Sequence, residues 1–322
     1  MEMAGLPPLT WGTAMSTWHL RPVTDAVLIV STALYVYRAH RVLPRHGIRW
    51  PVGRTVSFVG ALAVLAVTLQ SSIDVYSHEF FWLHMIQHLL LIMVVPVLFI
   101  LGQPIRLLTE STDLVSEHCS RALLSRVVSV ITFPLLALAA YAAVLVGTHL
   151  TGFMQSMQTN MWLHEVEIVL YLGSGYLFFL PLLAHEPLRR ELSYPLRVFL
   201  LFLGMTVDTV VGVMLMMTAT QGAFPLSDIH TGGGIMWVVG DGLMFAVTVL
   251  VVAQWMRDTE RQNDTGKWLE AARRSTLAGL GMEVDTASDS EAGIDDDEAA
   301  LAAYNRMLAK LNQRSSGSEH RP

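Results

Sequence analysis

Seven stretches of this 322-residue chain are apolar over most of a bilayer-spanning length, and that pattern restricts the fold more than any other feature. They run over 23–38, 55–73, 80–101, 127–148, 162–183, 196–219 and 234–256. About 20 apolar residues make a helix long enough to cross the hydrocarbon core of a membrane. The period-two alternation of a transmembrane barrel is absent. Charged residues make up only 15% of the chain against 52% hydrophobic, whereas a soluble domain carries about 25% charged residues. The expectation is an all-α integral membrane protein with a seven-transmembrane helix bundle over 23–256. An extracytoplasmic N-terminal segment (1–22) precedes it and an acidic cytoplasmic tail (257–322) follows.

Orientation follows from the basic residues. Arg38, Arg41, Arg45, Arg49 and Arg54 follow the first stretch, Arg106, Arg121 and Arg126 the third, and Arg189, Arg190 and Arg197 the fifth. Arg257, Arg261, Lys267, Arg273 and Arg274 follow the seventh. The intervening loops near 74–79, 149–161 and 220–233 carry none. This alternation predicts the N-terminus outside, the C-terminus in the cytoplasm and an odd number of spans. Residues 1–20 lack a signal-peptide pattern, so the first span is expected to act as its own insertion signal.

The tail holds thirteen acids against nine bases, and so supplies most of the net charge of -6. Its stretch 283–298 reads as a solvated linker. Leu301, Tyr304, Leu308 and Leu311 then share one face of a short amphipathic helix near 298–312. Nothing in this balance suits nucleic acid. The single Cys119 excludes a disulfide framework and a thiolate metal site.

Ionisable groups inside spanning helices are costly and become functional candidates. His84, Gln87 and His88 stand at i, i+3 and i+4, on one face of the third span. Two neutral imidazoles one turn apart can share a copper, zinc, iron or nickel ion, with Gln87 as a hydrogen-bonding support. His164, Glu167 and Tyr171 share a face of the fifth span and can complete such a site. Asp208 and Asp241 are intramembrane carboxylates that read either as proton-linked or metal groups or as helix–helix hydrogen bonds. Methionine is abundant, at 17 residues. Met154, Met157 and Met161, with His78 nearby, suggest an outer copper-capture segment, since thioethers select Cu(I); packing is the plainer reading. Pro96 predicts a kink in the third span, and Gly232–Gly234 a turn before the seventh.

His84-Met-Ile-Gln-His88-Leu-Leu-Leu, then Pro96 and Leu101-Gly-Gln-Pro104, resembles the multi-spanning CtaG-like cytochrome c oxidase assembly factors of bacteria. Asp228-Ile-His-Thr-Gly-Gly-Gly-Ile-Met-Trp237 resembles that family's approach to its last helix. The resemblance covers about residues 15–257. It implies a multi-pass protein of the bacterial plasma membrane that binds copper and assists its delivery to the haem–copper oxidase, without catalytic turnover. It places His84, His88, Asp228 and Trp237 at motif positions. The implied partners are oxidase subunits, the lipid bilayer and a copper chaperone. Two other readings stay open. A haem-binding membrane electron carrier would pair His88 with His164. A copper- or proton-coupled transporter would use Asp208 and Asp241 along its path. A retinal Schiff base is excluded, because Lys267 and Lys310, both in the tail, are the only lysines.

Overall fold

The structure, a computed structural model, describes residues 7–110, 114–123, 125–183, 192–217 and 224–279, together with 305 and 309. The acidic stretch and the amphipathic segment near 298–312 otherwise lie outside the described residues, as do Arg189 and Arg190. Residues 1–252 and 253–322 form separate units. In the second unit the helix that begins at Leu226 is described as far as Gly279.

Among the described residues the chain is helical and has no strand. Short helices α1 (Trp11–Ser16) and α4 (Ser72–Ser77) flank the spans α2 (Pro22–Tyr37) and α3 (Val52–Gln70). The third span is composite. Helix α5 (Phe81–Leu89) passes through a π-helical turn at Leu90–Val94 into α6 (Val95–Gly102) and α7 (Pro104–Thr109). Then come α8 (Leu114–Leu123), α9 (Arg126–Ile131), α10 (Pro134–His149) and α11 (Phe153–Thr159). The chain continues with α12 (Met161–Leu183), α13 (Tyr194–Met217) and α14 (Leu226–Gly279).

Among the described residues, six helical segments are long and apolar enough to cross a membrane. The predicted fourth span differs. It divides between α9 and α10, because Pro134 opens a new helix instead of extending the old one. The 16 residues of α10 reach about 24 Å at 1.5 Å per residue, short of the roughly 30 Å hydrocarbon core. The last helix also begins earlier than predicted. Gly232, Gly233 and Gly234 lie within α14 and not in a turn. The reason is close packing. A Cβ on Gly232 would stand 2.4 Å from the Phe81 ring, and one on Gly233 would stand 2.9 Å from the Gly212 carbonyl. Such approaches let backbones meet where water supplies no driving force.

One large core runs through α5, α10, α12, α13 and the first unit's part of α14, filled by Phe81, Met85, Tyr141, Tyr171, Phe178 and Met244. Helix α12 packs on α10, α6 and the π-helical turn. A smaller cluster ties α2 to α3 and α6. There Tyr35 stacks on Phe58 at 3.9 Å, donates to the Gly102 carbonyl at 2.6 Å and accepts from Trp50 Nε1 at 2.9 Å. Val30, Leu34, Phe199, Phe202, Val238 and Phe245 are exposed on the outside of the helices. An apolar surface of that extent is a lipid-facing surface.

The kink predicted at Pro96 takes the form of the π-helical turn just before it. Pro96 has no N–H for the Ile92 carbonyl four residues earlier. At the end of α6, Gln103 adopts φ 49°, ψ 52°, and Pro104 opens α7. The Leu101–Pro104 motif is therefore a left-handed helix stop followed by a restart.

Candidate metal centre

The ends of α3, α5, α10 and α12 meet near α4, and the polar residues gather there. His84 and His88 stand on one face of α5, with ring centroids 4.1 Å apart. His164 and Glu167 stand on one face of α12, within its first two turns. All four side chains are buried.

Glu167 is the focus. Its Oε1 lies 3.3 Å from His88 Nε2, and its Oε2 lies 3.8 Å from His84 Nε2 and 3.6 Å from His164 Nδ1. None of these atoms forms a hydrogen bond. One nitrogen each from His84 and His88 and one Glu167 oxygen all lie within 4.8 Å of one another.

One set of proton positions satisfies the hydrogen-bond network behind these rings. Thr148 Oγ1 donates to the Val144 carbonyl at 2.8 Å, and its oxygen accepts from the Tyr171 hydroxyl at 2.7 Å. In that set both hydroxyl protons are used, and His149 Nδ1, 3.0 Å from the Leu145 carbonyl, carries its own proton and donates it. His149 Nε2 is then an acceptor, and His88 Nδ1 donates to it at 3.2 Å. His88 Nε2 is left as a bare lone pair aimed at a carboxylate oxygen. With a neutral His88 in this tautomer two lone pairs face each other across 3.3 Å, and a cation or a proton between them would make the contact attractive. Metal–ligand bonds of about 2.0–2.2 Å would put neighbouring ligand atoms of a tetrahedral site roughly 3.3–3.6 Å apart. The His88–Glu167 and His164–Glu167 separations of 3.3 and 3.6 Å match that span, and His84, at 3.8 Å, would move a few tenths of an ångström closer. Tyr171 stacks on His88 at 4.0 Å and holds the ring in place.

Asp74 on α4 borders the same cluster. It accepts from Gln87 Nε2 at 2.9 Å and from Arg21 at 2.9 Å, and lies 3.6 Å from His164 Nε2. Burial pushes its carboxyl up, but the His164 ring, the Arg21 guanidinium and the Gln87 amide outweigh that and hold it below the usual carboxylate range. Arg21 also reaches Glu165 at 2.9 Å. Gln87 thus supports Asp74, one step removed from the histidines.

Of the remaining sequence candidates, His78 borders this cluster and the others have partners of their own elsewhere. Asp208 is buried and accepts from the Tyr141 hydroxyl at 2.9 and 3.1 Å, joining α13 to α10. Asp241 accepts from Thr209 Oγ1 at 2.9 Å, joining α14 to α13. Both are interhelical hydrogen bonds, the plainer of the two sequence readings. Met154 and Met157 are buried in the large core and present no thioether to the surface. Met161 opens α12, and its side chain lies outside the described residues. His78 is exposed, with its ring centroid 4.8 Å from that of His164.

Asp228 and Trp237 have structural explanations. The Asp228 carboxylate accepts from the backbone N–H of Phe81 at 2.6 Å and of Trp82 at 3.4 Å, capping α5 from another helix. Trp237 packs its backbone and Cβ on Gly212 of α13. Removing an N-cap costs about 0.5–2 kcal/mol. Asp228→Ala is expected to lower the thermal unfolding temperature and Asp228→Asn to restore much of it, read by melting the detergent-purified chain. Sequence reasoning missed His149 and Asp74. The one signal for His149 was its place at the end of the fourth apolar stretch, level with the start of the next helix.

Comparison with known proteins agrees with the motif resemblance. A relative from Mycobacterium bovis (strain ATCC BAA-935 / AF2122/97), uncharacterized protein Mb0105, is 29% identical over 327 residues, covering 95% of this chain and 46% of that protein. Uncharacterized protein ML1998 of Mycobacterium leprae (strain TN) is 27% identical over 319 residues, covering 92% of this chain and 45% of that protein. The chain thus spans about half the length of the curated relatives it matches. No solved structure matches it. The model of the cytochrome c oxidase caa3 assembly factor family, Caa3_CtaG, matches residues 33–258, more than half of the chain, and the chain therefore belongs to that family.

Proposed function

We propose that this chain binds a copper ion at His84, His88 and Glu167, with His164 as a further ligand, and assists its delivery to a haem–copper oxidase in the bacterial plasma membrane. The observation that carries this reading is the buried meeting of imidazole nitrogens and carboxylate oxygens, none of which has a hydrogen-bond partner. Leaving such groups unpaired costs several kcal/mol, and a bound cation removes that cost. The donors are nitrogen and oxygen, which suits Cu(II) better than Cu(I). The role is binding and transfer without catalytic turnover. The partners are oxidase subunits, with a copper chaperone as the source or recipient of the ion.

The Lys and Arg distribution supports an extracytoplasmic N-terminus and a cytoplasmic C-terminus. In that orientation α10 serves as the seventh crossing, and the metal centre lies toward the outer face. The haem reading is weaker, because a haem needs its two axial rings on opposite sides of a flat macrocycle. Here three rings converge on one carboxylate, and His88 is already stacked on Tyr171. The transporter reading loses its carboxylate path, since Asp208 and Asp241 each bind a hydroxyl of a neighbouring helix.

The test is element-resolved metal content of the detergent-purified chain beside a His84→Ala/His88→Ala variant. About one copper per chain, lost in the variant, is the expected result. Stoichiometric iron would move the assignment to haem. No metal in either would make the chain a scaffold that acts through protein contacts alone.

A further inference from the structure

The centre is buried, yet a file of imidazoles connects it to the surface. His78, just beyond α4, is exposed. Its ring lies 4.8 Å from His164, the His164 ring 6.4 Å from His84, and the His84 ring 4.1 Å from His88. His164 is the joint of the file. Its relative exposure is 4%, and neither ring nitrogen has a hydrogen-bond partner. Nδ1 faces Glu167 Oε2 at 3.6 Å and Nε2 faces Asp74 Oδ1 at 3.6 Å. A merely structural histidine would use at least one nitrogen in a hydrogen bond. This one divides its two nitrogens between an inner and an outer carboxylate. Arg21 and Gln87 hold Asp74 in place.

We infer that His78, Asp74 and His164 form a second, outer station that first takes up divalent copper and passes it inward to His84, His88 and Glu167. The inference rests on the proposed copper centre. Transfer is ligand exchange: one metal–ligand bond forms as another breaks, the ion keeps its charge, and no electron moves. The exposed imidazole supplies the first capture, and His164 is shared by both stations. This differs from a methionine-based capture surface, because Met154 and Met157 lie in the core.

The test mixes the detergent-purified full chain with Cu(II) supplied as its glycine complex. Stopped-flow tryptophan quenching reads the rate, and copper retained after desalting reads the endpoint. His78→Ala is expected to reach the wild-type endpoint at least tenfold more slowly. His78→Glu, which restores a ligand without the ring, is expected to load within about threefold of the wild type. The His84→Ala/His88→Ala chain should keep the fast phase and lose the retained ion. Wild-type loading by His78→Ala would overturn the outer station and leave the centre standing. Loss of the fast phase in the double variant would do the same. A wild-type chain that retains no copper would overturn the centre, and the station with it.

Discussion

Replacing Glu167 by glutamine is expected to abolish copper retention and at the same time to stabilise the metal-free chain. The two effects have one origin. Glu167 faces imidazole nitrogens on three sides, at 3.3, 3.6 and 3.8 Å, without a hydrogen bond to any of them. With His88 neutral and its proton on Nδ1, the metal-free protein holds a buried carboxylate beside a bare His88 Nε2, an arrangement with a desolvation cost and no compensating proton. A glutamine of the same shape brings two N–H donors to the same place. One of them can donate to His88 Nε2. The net gain of satisfying such buried groups is about 1–3 kcal/mol. For the proposed copper ion, the change would remove the only anionic ligand of the set. Loss of a supporting residue alone costs about 10–100-fold in metal affinity, so loss of the carboxylate itself is expected to exceed a hundredfold. Thermal melting with and without chelator, together with copper content, checks both effects. A variant that is less stable and still holds copper would mean that Glu167 is a packing partner of the histidines and nothing more.

The readable part of this centre was the part carried within single helices. Spacing alone placed His84 with His88, and His164 with Glu167, because residues three and four apart share a helix face. It could not say that the two faces meet, since that depends on which helices pack together. His149 and Asp74 come from other elements, 61 and 13 residues from the His88 and Gln87 they bond to, and no local period points at them. Asp208 and Asp241 show the converse limit. A carboxylate in an apolar span signals a partner, but the sequence does not say whether that partner is a metal or a hydroxyl on the next helix. The glycine run before Trp237 misled for a third reason. Glycine marks turns in soluble chains and close helix contacts in membranes, and here Phe81 and Gly212 fill the space that a side chain would occupy.

The same close-contact rule sets the largest expected loss of stability, at Gly175. Pro96 leaves the Ile92 carbonyl without its usual α-helical donor, and the π-helical turn Leu90–Val94 turns that backbone toward α12. A Cβ on Gly175 would lie 1.9 Å from the Ile92 oxygen and 2.8 Å from its carbonyl carbon. Both are backbone atoms, so no rotamer change relieves the clash. Overpacking in a core typically costs 1–3 kcal/mol, and a backbone collision exceeds that range, so Gly175→Ala is expected to cost more than about 3 kcal/mol. The effect also reaches the proposed metal centre. Glu167 lies two turns before Gly175 on α12, and His88 lies one turn before Ile92 on the third span. Pushing these backbones apart separates the carboxylate from the imidazoles. Gly173, in the same helix with open space beyond its Cα, is the control. Gly173→Ala is expected to melt at or slightly above the wild-type temperature, because alanine favours a helix over glycine by about 1 kcal/mol, and to keep its copper. Gly175→Ala is expected to melt lower and to lose the ion even under conditions where it remains folded. Equal behaviour of the two variants would mean that the helices do not approach here, and that the contact at Ile92 does not set the distance between Glu167 and His88.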